Sequence, residues 1–186
     1  MKSKSTHYIN NDEFKELVTD YIRLNYNDKG DWIERYENTM KTRCLKKPEK
    51  WPQIKDFIER RRKMYETRQL TKEDYQRYEK VAHEFCKALY KIAEGMLNTM
   101  KLQLDEEYDD MKHEAVMAGL KYSARFDEES NTSCFAYFTQ VIKNAIILYI
   151  DKRKEEYDNG NVIPEYKMLD TRTVDQFQGE DYGEQG

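Results

Sequence analysis

Tyr137, Gln140, Lys143 and Asn144 recur at intervals of three and four, and the same segment closes on Lys152-Arg153-Lys154. An aromatic ring stacks on an unpaired base, an amide bonds base edges and a cation holds a phosphate, so these types in this order describe a nucleic-acid surface. They also have a plainer reading. A tyrosine near a helix start is often half-buried in a core, and basic residues in a last turn are favoured by the helix dipole alone. Catalytic chemistry has weaker footing: there is no Gly-rich phosphate loop, no Ser/His/Asp or Cys/His order around a nucleophile elbow, and no metal-ligand spacing. The carboxylates between Asp105 and Asp110 suit a solvated loop as readily as a magnesium site. Cys44, Cys86 and Cys134 are odd in number and widely spaced, which suits reduced thiols better than disulfides or zinc. His83 and Cys86 share a helical face but supply only two ligands. No enzyme activity, cofactor or metal is therefore expected.

Two helices must position that surface. In the first, Met111, Ala115, Ala118, Gly119 and Tyr122 put small and apolar residues on one face, with Lys112, His113, Glu114 and Lys121 on or beside the other. The run from Asp127 to Ser133, DEESNTS, stops this helix and caps the next. There Phe135, Phe138, Ile142, Ala145, Ile146, Tyr149 and Ile150 trace a core-facing stripe, while Leu148 and Asp151 extend the line of Tyr137 and Asn144 on the adjoining surface. Upstream, Thr71-Lys72-Glu73-Asp74 has the form of a capping box with Asp in place of Glu or Gln. It opens a long helix whose apolar stripe runs from Tyr78 through Phe85, Leu89 and Leu97 to Met100. A first helix is expected from about Asp12 to Asn25 and a shorter one from Trp32 to Met40. Pro48 and Pro52 break the chain before a further helix bearing Glu59-Arg60-Arg61-Arg62-Lys63. That cluster reads either as a contact to DNA phosphates or an acidic partner, or as one solvated helix face.

The whole chain, 186 residues with 7 Gly and 3 Pro, is long enough to bury a real core and has few breakers, which argues for an all-α fold, a compact helical bundle. Charged residues make up 37% and mean hydropathy is −1.06, so the surface is heavily solvated. No apolar run approaches the roughly 20 residues that span a bilayer, and the opening from Met1 to Tyr8 lacks a hydrophobic signal core, so a cytoplasmic protein with no membrane contact is expected. Net charge is −4, unevenly spread. From Glu155 onward nine acids face only Lys167 and Arg172, a net of −7, which leaves +3 on the preceding 154 residues. A near-neutral body with an acidic tail, expected to be disordered from residue 157 to 186, does not hold duplex DNA tightly by counterion release alone.

The order of these residues resembles region 2 of bacterial sigma factors, and more narrowly the late-transcription sigma factors of large tailed phages. Asp110, His113 and Glu114 stand where that family has acidic and amide residues for the polymerase clamp helices, and Phe126 follows at the family's spacing. Tyr137 falls on the melting aromatic, and Lys143-Asn144-Ala145-Ile146 on the basic-amide-Ala-Ile run of the promoter-reading helix. The opening from His7 to Glu13, the tetrad Ile92-Ala93-Glu94-Gly95, Phe126-Asp127-Glu128, and Ala136-Tyr137 followed by Thr139-Gln140 are similar in order. There are departures. The tryptophan pair that primary sigma factors carry one turn beyond the melting aromatic is replaced by Gln140-Val141, and no helix-turn-helix pattern follows Lys154.

The resemblance implies a sigma region 2-like domain at 74–156, an N-terminal helical extension at 1–73 with a lineage-specific insertion at 32–71, and an acidic tail at 157–186. It implies a factor that binds the β′ clamp helices of the host bacterial RNA polymerase core and directs recognition and melting of a minus-ten-type late promoter, chiefly on the non-template strand. Asp110, His113 and Glu114 would dock on polymerase. Phe126, Tyr137 and Phe138 would receive a base, Gln140, Lys143 and Asn144 would read edges, and Lys152, Arg153 and Lys154 would hold phosphates. The long stripe from Tyr78 would pack antiparallel to the promoter-reading helix, with Gly95 at the close approach. Val174-Asp175-Gln176-Phe177 is the nearest equivalent of the family's sliding-clamp peptide, and a late-transcription coactivator is a further implied partner. The rival expectations are a helical polymerase-binding adaptor or anti-sigma-like protein without DNA readout, and a structural virion protein.

Overall fold

A computed structural model describes residues 10–102 and 107–158, with the side chains of the last helix described through Arg153. Among the described residues six α-helices follow one another: α1 (Asn11–Leu24), α2 (Trp32–Cys44), α3 (Trp51–Thr67), α4 (Lys72–Thr99), α5 (Tyr108–Tyr122) and α6 (Cys134–Asp158). Short 3₁₀ turns occupy Pro48–Lys50 and Ser123–Arg125, and no strand occurs among the described residues, so the fold is all-α. Local chemistry sets most of the boundaries. The Asn10 side chain accepts from the Asp12 N–H at the start of α1. At α4 the capping box is complete: Thr71 Oγ1 accepts from the Asp74 N–H at 3.2 Å while Asp74 Oδ2 accepts from the Thr71 N–H at 3.0 Å, so the shorter Asp does the work of the usual Glu. Pro52 sits in the first turn of α3, where its missing N–H has no helical partner to lose. α2 runs past the expected Met40 to Cys44.

One core joins α1, α4, α5 and α6. Its centre is a cluster of rings in which Phe14 and Phe85 each meet Phe138 edge-on, at 5.5 and 5.4 Å between centroids. Val18, Leu89, Ala115, Phe126, Ile142 and Ile146 fill the space around it. α1 therefore belongs to the same core as the three helices beyond residue 73. α5 and α6 run antiparallel, since Tyr137 at the start of α6 bonds Tyr122 at the end of α5, and Arg153 late in α6 pairs with Glu107 just before α5.

The close approach between helices lies at a different glycine from the expected one. A side chain at Gly95 would meet nothing within 4 Å, because Gly95 faces outward between the buried Ala93 and Leu97. At Gly119 a Cβ would fall 2.9 Å from Leu89 Cδ1, so it is α5 that needs a glycine to reach α4.

α2 and α3 form a hairpin with a small core of its own, Ile33, Phe57 and Ile58 under Trp32, Tyr36, Trp51, Ile54 and Tyr65. Cations fasten it to the main body. Arg68 donates to the carbonyls of Asn25 and Asp28 at 2.8 and 2.7 Å. Arg125 lies over Tyr122 at 4.6 Å and over the hairpin rings Tyr36 and Trp32 at 5.7 and 5.8 Å.

Candidate interface groove

Between α5 and α6, with α2 as its far wall, runs a groove of about 1480 Å³. α5 contributes Asp110, His113, Glu114, Met117 and Lys121. α6 contributes Tyr137, Val141, Asn144, Leu148, Lys152 and Arg153. From Tyr137 to Lys152 these positions recur every three or four residues and so share one stripe of the helix, with Arg153 beside its end. The groove thus brings together the residues expected to dock on polymerase and a subset of those expected to read DNA. It also admits Tyr36, Met40 and Arg43 of α2, which no local pattern linked to Tyr137.

Several expected positions lie elsewhere. Lys143 stands roughly 120° round α6 from Tyr137, at about 100° per residue, and does not line the groove. Gln140 does not line it either, but donates to Asn144 Oδ1 at 2.7 Å, so the two amides form one unit rather than two independent readers. Phe126 and Phe138 are core residues, 1% and 0% exposed. No base reaches either ring without parting the packed helices, so their placement on the DNA surface is corrected: they are the bed beneath Tyr137. Their rings lie 5.4 and 5.1 Å from that of Tyr137. Tyr137 is half-buried, its hydroxyl donates to the Tyr122 carbonyl at 2.8 Å, and burial raises its phenol pKa well above the ordinary range. One ring face and one hydroxyl are thus fixed by packing, which pre-orients what remains of the ring toward the groove. The side chain of Lys154, and Val174 and Phe177 with the rest of the tail, lie outside the described residues, as do His7, Tyr8 and Ile9.

The connector that presents Phe126 is held from the hairpin. Arg61, only 4% exposed, donates to the carbonyls of Ala124 at 3.1 Å and Phe126 at 2.6 Å and makes a two-pronged pair with Glu128 at 3.0 and 2.5 Å. Arg60 pairs with Asp127 and Glu129 at 2.8 and 2.9 Å. The basic cluster of α3 is therefore not a purely solvated face: Arg60 and Arg61 order the acidic connector, and Arg62 pairs with Glu37 of α2. At the other end of the connector, Asn11 Oδ1 accepts from Ser133 Oγ at 2.9 Å and from the Phe135 N–H at 3.2 Å, so α1 caps α6 from outside.

Electrostatically the groove is divided. Asp110 and Glu114 of α5 share one end with Lys152 and Arg153, while Lys121, Arg125 and Arg43 lie toward the Tyr137 end. Between them the apolar side chains of Met117 and Leu148 are 48% and 68% exposed. His113 Nδ1 lies 3.4 Å from the Tyr90 hydroxyl. Cys44 and Cys134 are buried, and burial pushes the Cys134 thiol up to about 12. Among the described residues no cluster of three or more His, Cys, Asp or Glu side chains is placed to hold a metal, and no helix is long and apolar enough to cross a membrane. Compared with known proteins, the chain matches no family model, no curated protein and no solved structure.

Proposed function

We propose that this chain is a sigma factor of the phage late-transcription type, which holds bacterial RNA polymerase core through α5 and opens a minus-ten-type promoter element with α6. The observation that carries this reading is the groove itself: Asp110, His113 and Glu114 line it together with Tyr137, Asn144, Lys152 and Arg153, so one surface offers both carboxylates for a basic protein helix and a ring, amide and cations for a nucleic-acid strand. In this mechanism Asp110 and Glu114 dock on the charged clamp helices of β′. A base leaving the duplex stacks on Tyr137, returning about 1–3 kcal/mol against an unstacking cost of a few kcal/mol. Asn144, oriented by Gln140, reads a base edge, and Lys152 and Arg153 hold backbone phosphates. Phe126 and Phe138 act only through Tyr137. Because the body before the tail carries only +3, strand capture depends on polymerase to bring the DNA.

Run-off transcription with purified core polymerase on supercoiled AT-rich phage DNA, with permanganate footprinting of unpaired thymines, tests this directly. Initiation and a localised bubble that both require the chain are the expected result. Tyr137→Ala should still capture polymerase but lose the bubble, whereas Asp110→Ala with Glu114→Ala should lose capture. Polymerase capture without any bubble would assign the chain to the adaptor class, and absence of both would remove it from transcription.

A further inference from the structure

We propose that the groove is also the docking site of this chain's own residues 159–186. The segment follows α6 directly, and α6 lines the groove from Tyr137 to Arg153. Its composition is ordered in a way that fits. Val162, Ile163, Tyr166, Met168 and Leu169 come first, and then, from Asp170 on, five carboxylates against Arg172 alone. The groove is ordered to match in the reverse direction of α6: the charge-balanced end near Lys152 and Asp110, then the exposed Leu148 and Met117, then the cations Lys121, Arg125 and Arg43 near Tyr137.

The lengths agree. From Asp158 back to Tyr137 α6 rises about 32 Å at about 1.5 Å per residue. An extended chain covers that in about nine residues at about 3.4 Å each. If Asn159-Gly160-Asn161 reverses the chain, as those turn residues favour, nine further residues end at Asp170. The apolar residues from Val162 to Leu169 then run over Leu148, Met117 and Val141, and the first carboxylate of the acidic stretch arrives at the cationic end. A tether this short places the segment at an effective concentration on the order of mM, which fills a site whose Kd is below about 1 mM. Its consequence, competition with polymerase or DNA for the groove, rests on the function proposed above; the docking itself does not.

The test uses the full chain, carbodiimide as a zero-length cross-linker of lysine to carboxylate, and ¹³C-methyl methionine spectra. Cross-links from Lys121 to Asp170 or Asp175 within one chain are expected, with yield falling at least about threefold in about 0.5 M salt, where charge attraction is screened. Tyr166→Gln with Leu169→Gln should shift the Met40 and Met117 methyl signals and leave the buried Met111 signal in place. No Lys121 cross-link to the segment, or unmoved Met40 and Met117 signals, would overturn the proposal. Links found only between isotopically distinct chains would overturn it too, assigning the groove to the tail of a second copy. Neither readout involves polymerase or DNA, so a failed promoter assay leaves this result standing, and the reverse.

Discussion

A single guanidinium decides how the connector is presented. Arg61 is buried, and its fork serves two carbonyls and one carboxylate that would otherwise lose their partners. Glu128 is 30% exposed and rehydrates when Arg61 is removed, so the cost falls on the buried carbonyls of Ala124 and Phe126, about 1–3 kcal/mol for each acceptor left unpaired. Arg61→Met, which keeps the bulk over the Phe57 ring, is therefore expected to lose stability on that scale in urea denaturation. Arg61→Lys should recover little, because an ammonium has no fork. Arg62→Met breaks only the exposed pair with Glu37 and should cost less than about 1 kcal/mol. Equal costs for Arg61→Met and Arg62→Met would mean that the connector holds its shape unaided. Tyr137 separates two roles in the same way. Tyr137→Phe loses the bond to the Tyr122 carbonyl, about 0.5–1.5 kcal/mol, yet keeps the ring on its bed of Phe126 and Phe138. It should therefore melt earlier than the parent chain while still opening promoters, and loss of the bubble in this variant would move the role from ring to hydroxyl.

At the scale of helices, the two glycines make opposite predictions. Gly95→Ala adds a methyl to an open helical surface and should stabilise α4 by about 0.5–1 kcal/mol. Gly119→Ala gains the same propensity but drives its Cβ into Leu89, which is fully buried, so overpacking of about 1–3 kcal/mol should prevail and the net change should be destabilising. Thermal denaturation of the two variants ranks them, and a stabilising Gly119→Ala would place the α4–α5 contact elsewhere. The pair also shows where sequence reasoning reaches. Helix existence was legible because its signals are local: the Thr71 box, the Pro52 start, and the apolar stripes of α4 and α6 all lie within a few turns. Which glycine meets a neighbour depends on the phase of two helices against each other, and both glycines sit among apolar residues in the sequence. The same limit hid Arg61, whose carboxylate partner lies 67 positions away in an acidic run that reads as a turn. It also hid the α2 wall of the groove, since nothing in Tyr36, Met40 or Arg43 points to Tyr137. Within α6, Lys143 lies six residues from Tyr137 and so about 120° away round the helix, close in sequence but on another face.

Four phenols tie the molecule together across both cores and across the joint between them. Tyr21 packs on Phe85 in the main core, and Tyr137 lies beneath the groove. Tyr36 lies under Arg125 at the hairpin joint, and Tyr65 donates to Asp28 at 2.8 Å beside Trp32. Burial is the first cause of a raised phenol pKa in all four. Because the folded values lie above the unfolded value of about 10, the stability these groups supply is complete below that pH and is withdrawn as pH climbs past it. Packing at the joint and in both cores opposes their ionisation, so loss of structure should be concerted rather than confined to the hairpin. A titration of absorbance at 295 nm alongside far-ultraviolet dichroism tests this on the chain's 15 tyrosines. A fraction of the phenolate signal equivalent to about four residues is expected to appear only with the loss of helix, at a pH above about 10. Full ionisation with the helical signal intact would show that these rings are open to solvent, and with them that the groove floor at Tyr137 and the hairpin joint are not packed as described.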